Sequence, residues 1–251
     1  MRSDLGREAR LVAAALQMLT RLPLPDYPLP ADWLARSAKY FPLVGIWVGA
    51  VSAATLAGAA AMWPSPIPAL LAVTAALLVT GALHEDGLAD TADSLGGPTR
   101  QARLAIMKDP RIGTFGALAL GLTIAGKVAA LSVLPVEIGV AALLASGAVS
   151  RFWAAAVMAR TSYAGDRSLA KVDHGIEGPR MGELALGLAI ALAPLLLLDL
   201  SPAFAALLAS AVVAALVAIR VCRGLGGYTG DVLGAVIAVS ETAFLLGVAA
   251  R

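Results

Sequence analysis

Charge is scarce in this chain of 251 residues: Asp, Glu, Lys and Arg make up 14% of it against 59% hydrophobic residues, where an ordinary soluble domain carries about 25% charged residues. That shortage excludes the polar shell a soluble core of this size requires. With a mean hydropathy of +0.81, it makes the bilayer the natural solvent. Cysteine is scarcer still. The single Cys222 excludes an intramolecular disulfide framework and any multi-cysteine zinc site, and it reads as a small helix-packing residue. The net charge is only +2, and in membrane proteins basic residues chiefly mark cytoplasmic loops, so nucleic acid is not expected as a partner. The N-terminal MRSDLGREARLVAAALQMLTRLPLP has no small-x-small cleavage site in a suitable place and is expected to be retained. No repeat relates the two halves and no linker divides them. This predicts one domain over 1–251, with an N-terminal interfacial segment at 1–40 and a helix bundle at 41–251.

What the chain has in quantity is apolar runs close to the roughly 20 residues that cross about 30 Å of hydrocarbon. They lie near Phe41 to Met62, Ile67 to Leu83, Gly113 to Leu134, Ile138 to Met158, Leu184 to Leu198, Pro202 to Val221 and Val232 to Ala250. The expected fold is an all-α, polytopic membrane helix bundle of about seven transmembrane helices. Leu11 to Leu19 is too short to span and is expected at the interface.

Lys and Arg test this layout independently, because they gather in alternate, cytoplasmic loops. Arg2, Arg7, Arg10, Arg21, Arg36 and Lys39 precede the first run. Arg100, Arg103, Lys108 and Arg111 follow the second; Arg160, Arg167, Lys171 and Arg180 follow the fourth; Arg220 and Arg223 follow the sixth. The intervening turns WPSPIP, LPVE and LDLSP hold no basic residue. The alternation predicts a cytoplasmic N-terminus and places every long polar loop, with nearly all the acids, on the cytoplasmic side. Chemistry should therefore face water-soluble cytoplasmic substrates.

The second run leads into His84-Glu85-Asp86-Gly87-Leu88-Ala89-Asp90-Thr91-Ala92-Asp93. On a helix, Asp86, Asp90 and Asp93 stand at i, i+4 and i+7, within an arc of roughly 60°. Three converging carboxylates repel one another, and a hard divalent cation removes the conflict, so the segment reads as a Mg²⁺ site on the cytoplasmic side. The bland alternative is a set of solvated loop acids. His84 reads as a supporting, interfacial hydrogen-bonding residue. Further on, Lys108, Asp109 and Arg111 sit in a turn fixed by Pro110 and Gly113, where the two cations could take phosphate oxygens or simply serve the positive-inside rule. The glycine cluster with Gly226 and Gly227 offers close backbone approach to phosphate. Asp231 behind it is either a site acid or a helix N-terminal acid favoured by the dipole. Lys127 and Arg151 fall inside spans and demand partners, Glu241 being the obvious one. They are either structural ion pairs or contacts to a phosphorylated substrate.

Together, HEDGLADTADSLGG, IMKDPRIGTFG, LTRLPLP, YFPLVG and GGYTGDVLGA with Glu241 resemble the cobalamin synthase family, whose activity is adenosylcobinamide-GDP ribazoletransfer. The resemblance runs over essentially the whole chain. It implies that α-ribazole, or its 5′-phosphate, displaces GMP from adenosylcobinamide-GDP with Mg²⁺ as cofactor, in the bacterial cytoplasmic (inner) membrane. Glu85 stands where the family pattern is expected to be apolar, and the stretch around Asp166 follows the family only loosely. On this reading Asp86, Asp90, Asp93 and Asp231 are metal ligands. Asp93 is the general base, by analogy with CDP-alcohol phosphotransferases. Lys108, Arg111, Lys127 and Arg151 are phosphate contacts, with His84, Asp109, Gly226, Gly227 and Glu241 in support. The partners implied are the two substrates and the lipid bilayer, with a homo-oligomer compatible and not required. The competing readings are a secondary transporter, which also uses intramembrane charge, and a CDP-alcohol lipid enzyme.

Overall fold

The structure, a computed structural model, describes residues 2–25, 28–29, 32–165 and 178–250. Helix α1 (Arg2–Leu19) is followed by the short α2 (Trp33–Ser37), a 3-10 turn at Ala38–Tyr40 and α3 (Phe41–Ala60). Next come α4 (Ile67–Thr80), α5 (Leu83–Ser94), α6 (Arg100–Ile106), α7 (Thr114–Val133) and α8 (Val136–Arg160). After the undescribed 166–177 lie α9 (Met181–Leu192) with a 3-10 extension to Leu197, α10 (Leu200–Leu225) and α11 (Gly230–Ala249). The described residues form no β-strand; Tyr163 and Tyr228 make an isolated parallel bridge.

Five stretches are long and apolar enough to cross a membrane: Trp33–Ala60, α7, α8, α10 and α11. A sixth arises if α4 and α5, bent by 89°, are taken as one broken span. The expected count of about seven is thus reduced, for two physical reasons. Helix α4 has 14 residues, about 21 Å at 1.5 Å per residue, short of the hydrocarbon thickness. Its apolar run continued through a bend made by Gly81 and Ala82, both left-handed at φ 66° and 56°. The fifth run breaks after Leu192 into the 3-10 segment that contains Pro194, whose ring cannot continue an α-helical ladder.

The most enclosed spans are α8 and α11, with 72% and 67% of their apolar windows buried against 22% for α10. Helix α3 runs antiparallel to α8 with backbones nearly touching, Gly45 against Gly147 and Gly49 against Leu143, as small residues permit in lipid. On α10, Leu200, Phe204, Leu208, Val212, Leu216 and Ile219 are exposed at near-helical spacing while Ala203, Ala206, Ser210 and Ala214 are buried. An apolar stripe of that length on an outer helix suits contact with acyl chains.

These pairings bring the basic segments to one end of the bundle. Arg100 donates to the Leu225 carbonyl at 2.6 Å and to the Ala164 carbonyl at 3.0 Å, joining α6 to the ends of α10 and α8. At the opposite end the Ser65 hydroxyl donates to the Ser132 carbonyl at 3.0 Å, joining the WPSPIP turn to the last turn of α7. Helix α1 docks at the basic end, where Glu8 takes Lys39 and the Tyr40 hydroxyl, each at 2.7 Å.

Candidate active site

The acidic segment is helical, as its spacing predicts, and α5 lies across the first turn of α11. Gly87 makes this approach achievable: a Cβ there would strike the Asp231 backbone. Asp86, Asp231 and Asp93 all lie within electrostatic reach of Asp90, and Asp86 within reach of Asp231. Asp86 is exposed, Asp90 and Asp231 half-buried. None of these three side chains is ion-paired to a cation among the described residues. The sequence left Asp231 between two roles, and the fold brings it into the same group as the α5 acids.

Asp93 does something the spacing did not announce. Its two oxygens accept the backbone N–H groups of Gly113 at 2.7 Å and Gly116 at 2.8 Å. These donors have no intrahelical partner at the start of α7, so Asp93 caps α7 from another helix. A Cβ on either glycine would meet this carboxylate.

Beside the acids a cavity of about 510 Å³ is lined by Arg100, Leu104, Met107, Lys108, Tyr163, Ala164, Gly165, Thr229, Gly230 and Asp231. Lys108 is exposed and, among the described residues, without an ion-pair partner. Arg111 is turned elsewhere: its guanidinium grips Asp109 at 2.9 and 2.6 Å in open solvent, and this holds the Asp109 carboxyl down to about 2. Arg100 was read only as a loop charge, but it borders the cavity. The one local signal was its place at the start of a helix capped by Thr99.

Gly226 and Gly227 serve the chain's path. Gly226 ends α10 with φ 78°, and Gly227 has φ 153°. A Cβ on Gly227 would meet the Ser162 carbonyl, where Tyr228 N–H donates to Ser162 and Ala164 N–H to Tyr228, both at 2.8 Å. This pairing forms one wall of the cavity. Asp166 lies outside the described residues, as do Arg167 and Lys171.

Deeper in the bundle, Lys127 is 5% exposed and stands 3.4 Å from Glu241, the partner expected, and 3.4 Å from Glu85, which was not. Arg151 is 1% exposed. It donates to the Gly147 carbonyl of its own helix at 3.1 Å, and Glu241 and Glu85 are within electrostatic reach. His84 is buried beside them, its Nε2 without a hydrogen-bond partner. Neither Lys127 nor Arg151 lines the cavity.

Among the described residues no three His, Cys, Asp or Glu side chains stand close enough to complete a metal shell alone. The donors at Asp86, Asp90 and Asp231 are nevertheless hard, uncompensated oxygens beside a cavity. That fits Mg²⁺, which takes one or two carboxylates and completes its octahedron with water and substrate phosphate.

Fold and site together define a multi-pass helical membrane protein with an aspartate centre and a polar cavity at its basic end. Sequence comparison supplies the family: residues 11–249 match cobalamin-5-phosphate synthase, and the chain belongs to that family. It is 42% identical over 96% of its length to the adenosylcobinamide-GDP ribazoletransferase of Leptothrix cholodnii, covering 95% of that protein. With the proteins of the same name from Shewanella frigidimarina and Escherichia coli it shares 36% and 38% identity, over 94% and 95% of this chain and 92% and 98% of theirs. No solved structure matches. The chain is therefore a transferase of cobalamin biosynthesis, and not the transporter that its intramembrane charges also suggested.

Proposed function

We propose that the chain joins α-ribazole, or its 5′-phosphate, to adenosylcobinamide-GDP with release of GMP, at the cytoplasmic face of the bacterial inner membrane. The observation that carries this reading is the meeting of Asp86, Asp90 and Asp231, from two helices, beside a cavity that also presents Lys108 and Arg100. In the reaction the ribazole 3′-hydroxyl oxygen bonds to the phosphorus on the aminopropanol arm as the bond from that phosphorus to GMP breaks. The hydroxyl gives its proton to solvent water in the cavity and GMP leaves with the negative charge. Mg²⁺, when bound, neutralises charge on the pyrophosphate.

The protein's own part is position and electrostatics, which dominate phosphoryl transfer. One or two of Asp86, Asp90 and Asp231 would hold the metal, with water and substrate phosphate completing its shell. Lys108 reaches phosphate oxygens as a point charge, while Arg100 keeps the cavity wall in place through its two carbonyl contacts. Asp93 moves in this reading from proton acceptor to positioning, since both its oxygens are engaged with α7. The test is a membrane assay with adenosylcobinamide-GDP and α-ribazole 5′-phosphate. Metal-dependent GMP release supports the reading, and no GMP with any divalent metal overturns it.

A further inference from the structure

Helix α5 carries Asp86 and Asp90 on very little apolar support. Its apolar contacts centre on one large side chain, Leu88, packed with Ala235 and Ala238 and flanked by Ala119, Leu120, Val217 and Val239. Ala89 is the other buried apolar residue of the helix. Nor does the preceding chain set its direction, because two left-handed residues and an 89° bend separate it from α4. Besides the Leu88 contact with Ala119 and Leu120, two polar ties join it to α7, one at each end. In the last turn Asp93 holds the N–H groups of Gly113 and Gly116. In the first turn Glu85 lies 3.4 Å from Lys127. Lys127 is equally close to Glu241, so this tie also reaches α11, whose first turn bears Asp231.

The charges in this buried group balance. Lys127 and Arg151 stand against Glu85 and Glu241, with Arg151 within electrostatic reach of both acids. Each charge alone would be costly at bilayer depth and draws the others inward. The cluster therefore couples α5, α7, α8 and α11 at one height, with Glu85 adjoining Asp86 in sequence.

We propose that Glu85, Lys127 and Glu241 are positioning residues, an intramembrane ion triad that fixes the rotation and depth of α5 so that Asp86 and Asp90 face Asp231. None of the three touches substrate. The inference rests on the phosphoryl-transfer reading only for what the aspartates bind.

The test uses the full chain in lipid nanodiscs, with Mn²⁺ as the bound probe read by electron paramagnetic resonance and amide exchange across 86–94 read without divalent metal. Glu85→Gln and Lys127→Met should speed exchange across 86–94 while leaving 203–214 unchanged. They should also weaken Mn²⁺ binding about 10- to 100-fold, the usual cost of losing a ligand's supporting partner. Lys127→Arg, which keeps the charge and can reach both carboxylates, should behave nearly as the parent. If Lys127→Met does not fold, the near-isosteric Glu85→Gln carries the comparison. Parental exchange and Mn²⁺ binding, with only the KM for adenosylcobinamide-GDP raised, would make Lys127 a phosphate contact and overturn the proposal. A parent chain that binds no Mn²⁺ sinks the metal reading instead, and the triad then stands or falls on the exchange data.

Discussion

The Asp93 carboxylate receives the backbone N–H of Gly116 at 2.8 Å, across 23 residues of sequence. A side chain on α5 thereby completes the first turn of α7, so the end of the helix that carries the acidic centre and the start of the helix that carries Lys127 meet at a shared joint. The second oxygen takes Gly113 N–H at 2.7 Å, which leaves the carboxylate little freedom to act on a substrate proton.

Asp93→Asn should therefore lower stability first. The amide offers one acceptor oxygen in place of two, and a lost hydrogen bond to a charged group is worth about 1.5–3 kcal/mol. Thermal unfolding in detergent should show a clear drop in Tm, and Gly116→Ala should show one too, because its Cβ would displace the same carboxylate. An unchanged Tm in both variants with abolished turnover would return Asp93 to the role of proton acceptor.

Lys108 and Arg111 should separate although they lie three residues apart. Lys108 borders the cavity, whereas Arg111 is held by Asp109 in solvent. Lys108→Ala should raise the KM for adenosylcobinamide-GDP about 10- to 150-fold, the equivalent of one charged hydrogen bond. Arg111→Ala should leave it within about threefold, since exposed ion pairs contribute little. Steady-state kinetics on membranes checks both, and the reverse order would move the phosphate site outward.

Much of this arrangement was legible in the sequence because it follows from local rules. Apolar length found the spans, and i, i+4 spacing put Asp86 and Asp90 on one helix. Intramembrane cost also demanded a partner for Lys127, and Glu241 is one of the two it has. What was not legible depends on contacts between distant segments. The Glu85–Lys127 pair joins residues 42 apart, and no local pattern distinguishes a paired Glu85 from a stray charge. The bend between α4 and α5 was hidden because Ala82 is an ordinary helix former that adopts φ 56° here. Asp93 shares the periodicity of Asp86 and Asp90, and only the position of α7 shows that it caps that helix.

Membrane orientation is tested by labelling. With the buried Cys222 replaced by Ala, single cysteines at Ser65 and Asp199 should react with an impermeant thiol reagent from outside intact cells. Cysteines at Thr99 and Gly178 should react only after permeabilisation, as the gathering of basic segments at one end requires. Labelling of both sets from the same side would remove the cytoplasmic site.

The most direct measurement is GMP release by Asp90→Asn in membranes supplied with adenosylcobinamide-GDP and α-ribazole 5′-phosphate, across a Mg²⁺ titration. Asp90 lies within reach of Asp86, Asp93 and Asp231, and the change removes one charge from that group at almost constant shape. The account predicts an inserted protein with the parental Tm or higher, because like-charge repulsion is relieved, and with turnover lost even at saturating Mg²⁺. Near-parental GMP release at any Mg²⁺ concentration would contradict the assignment of these aspartates as the catalytic centre.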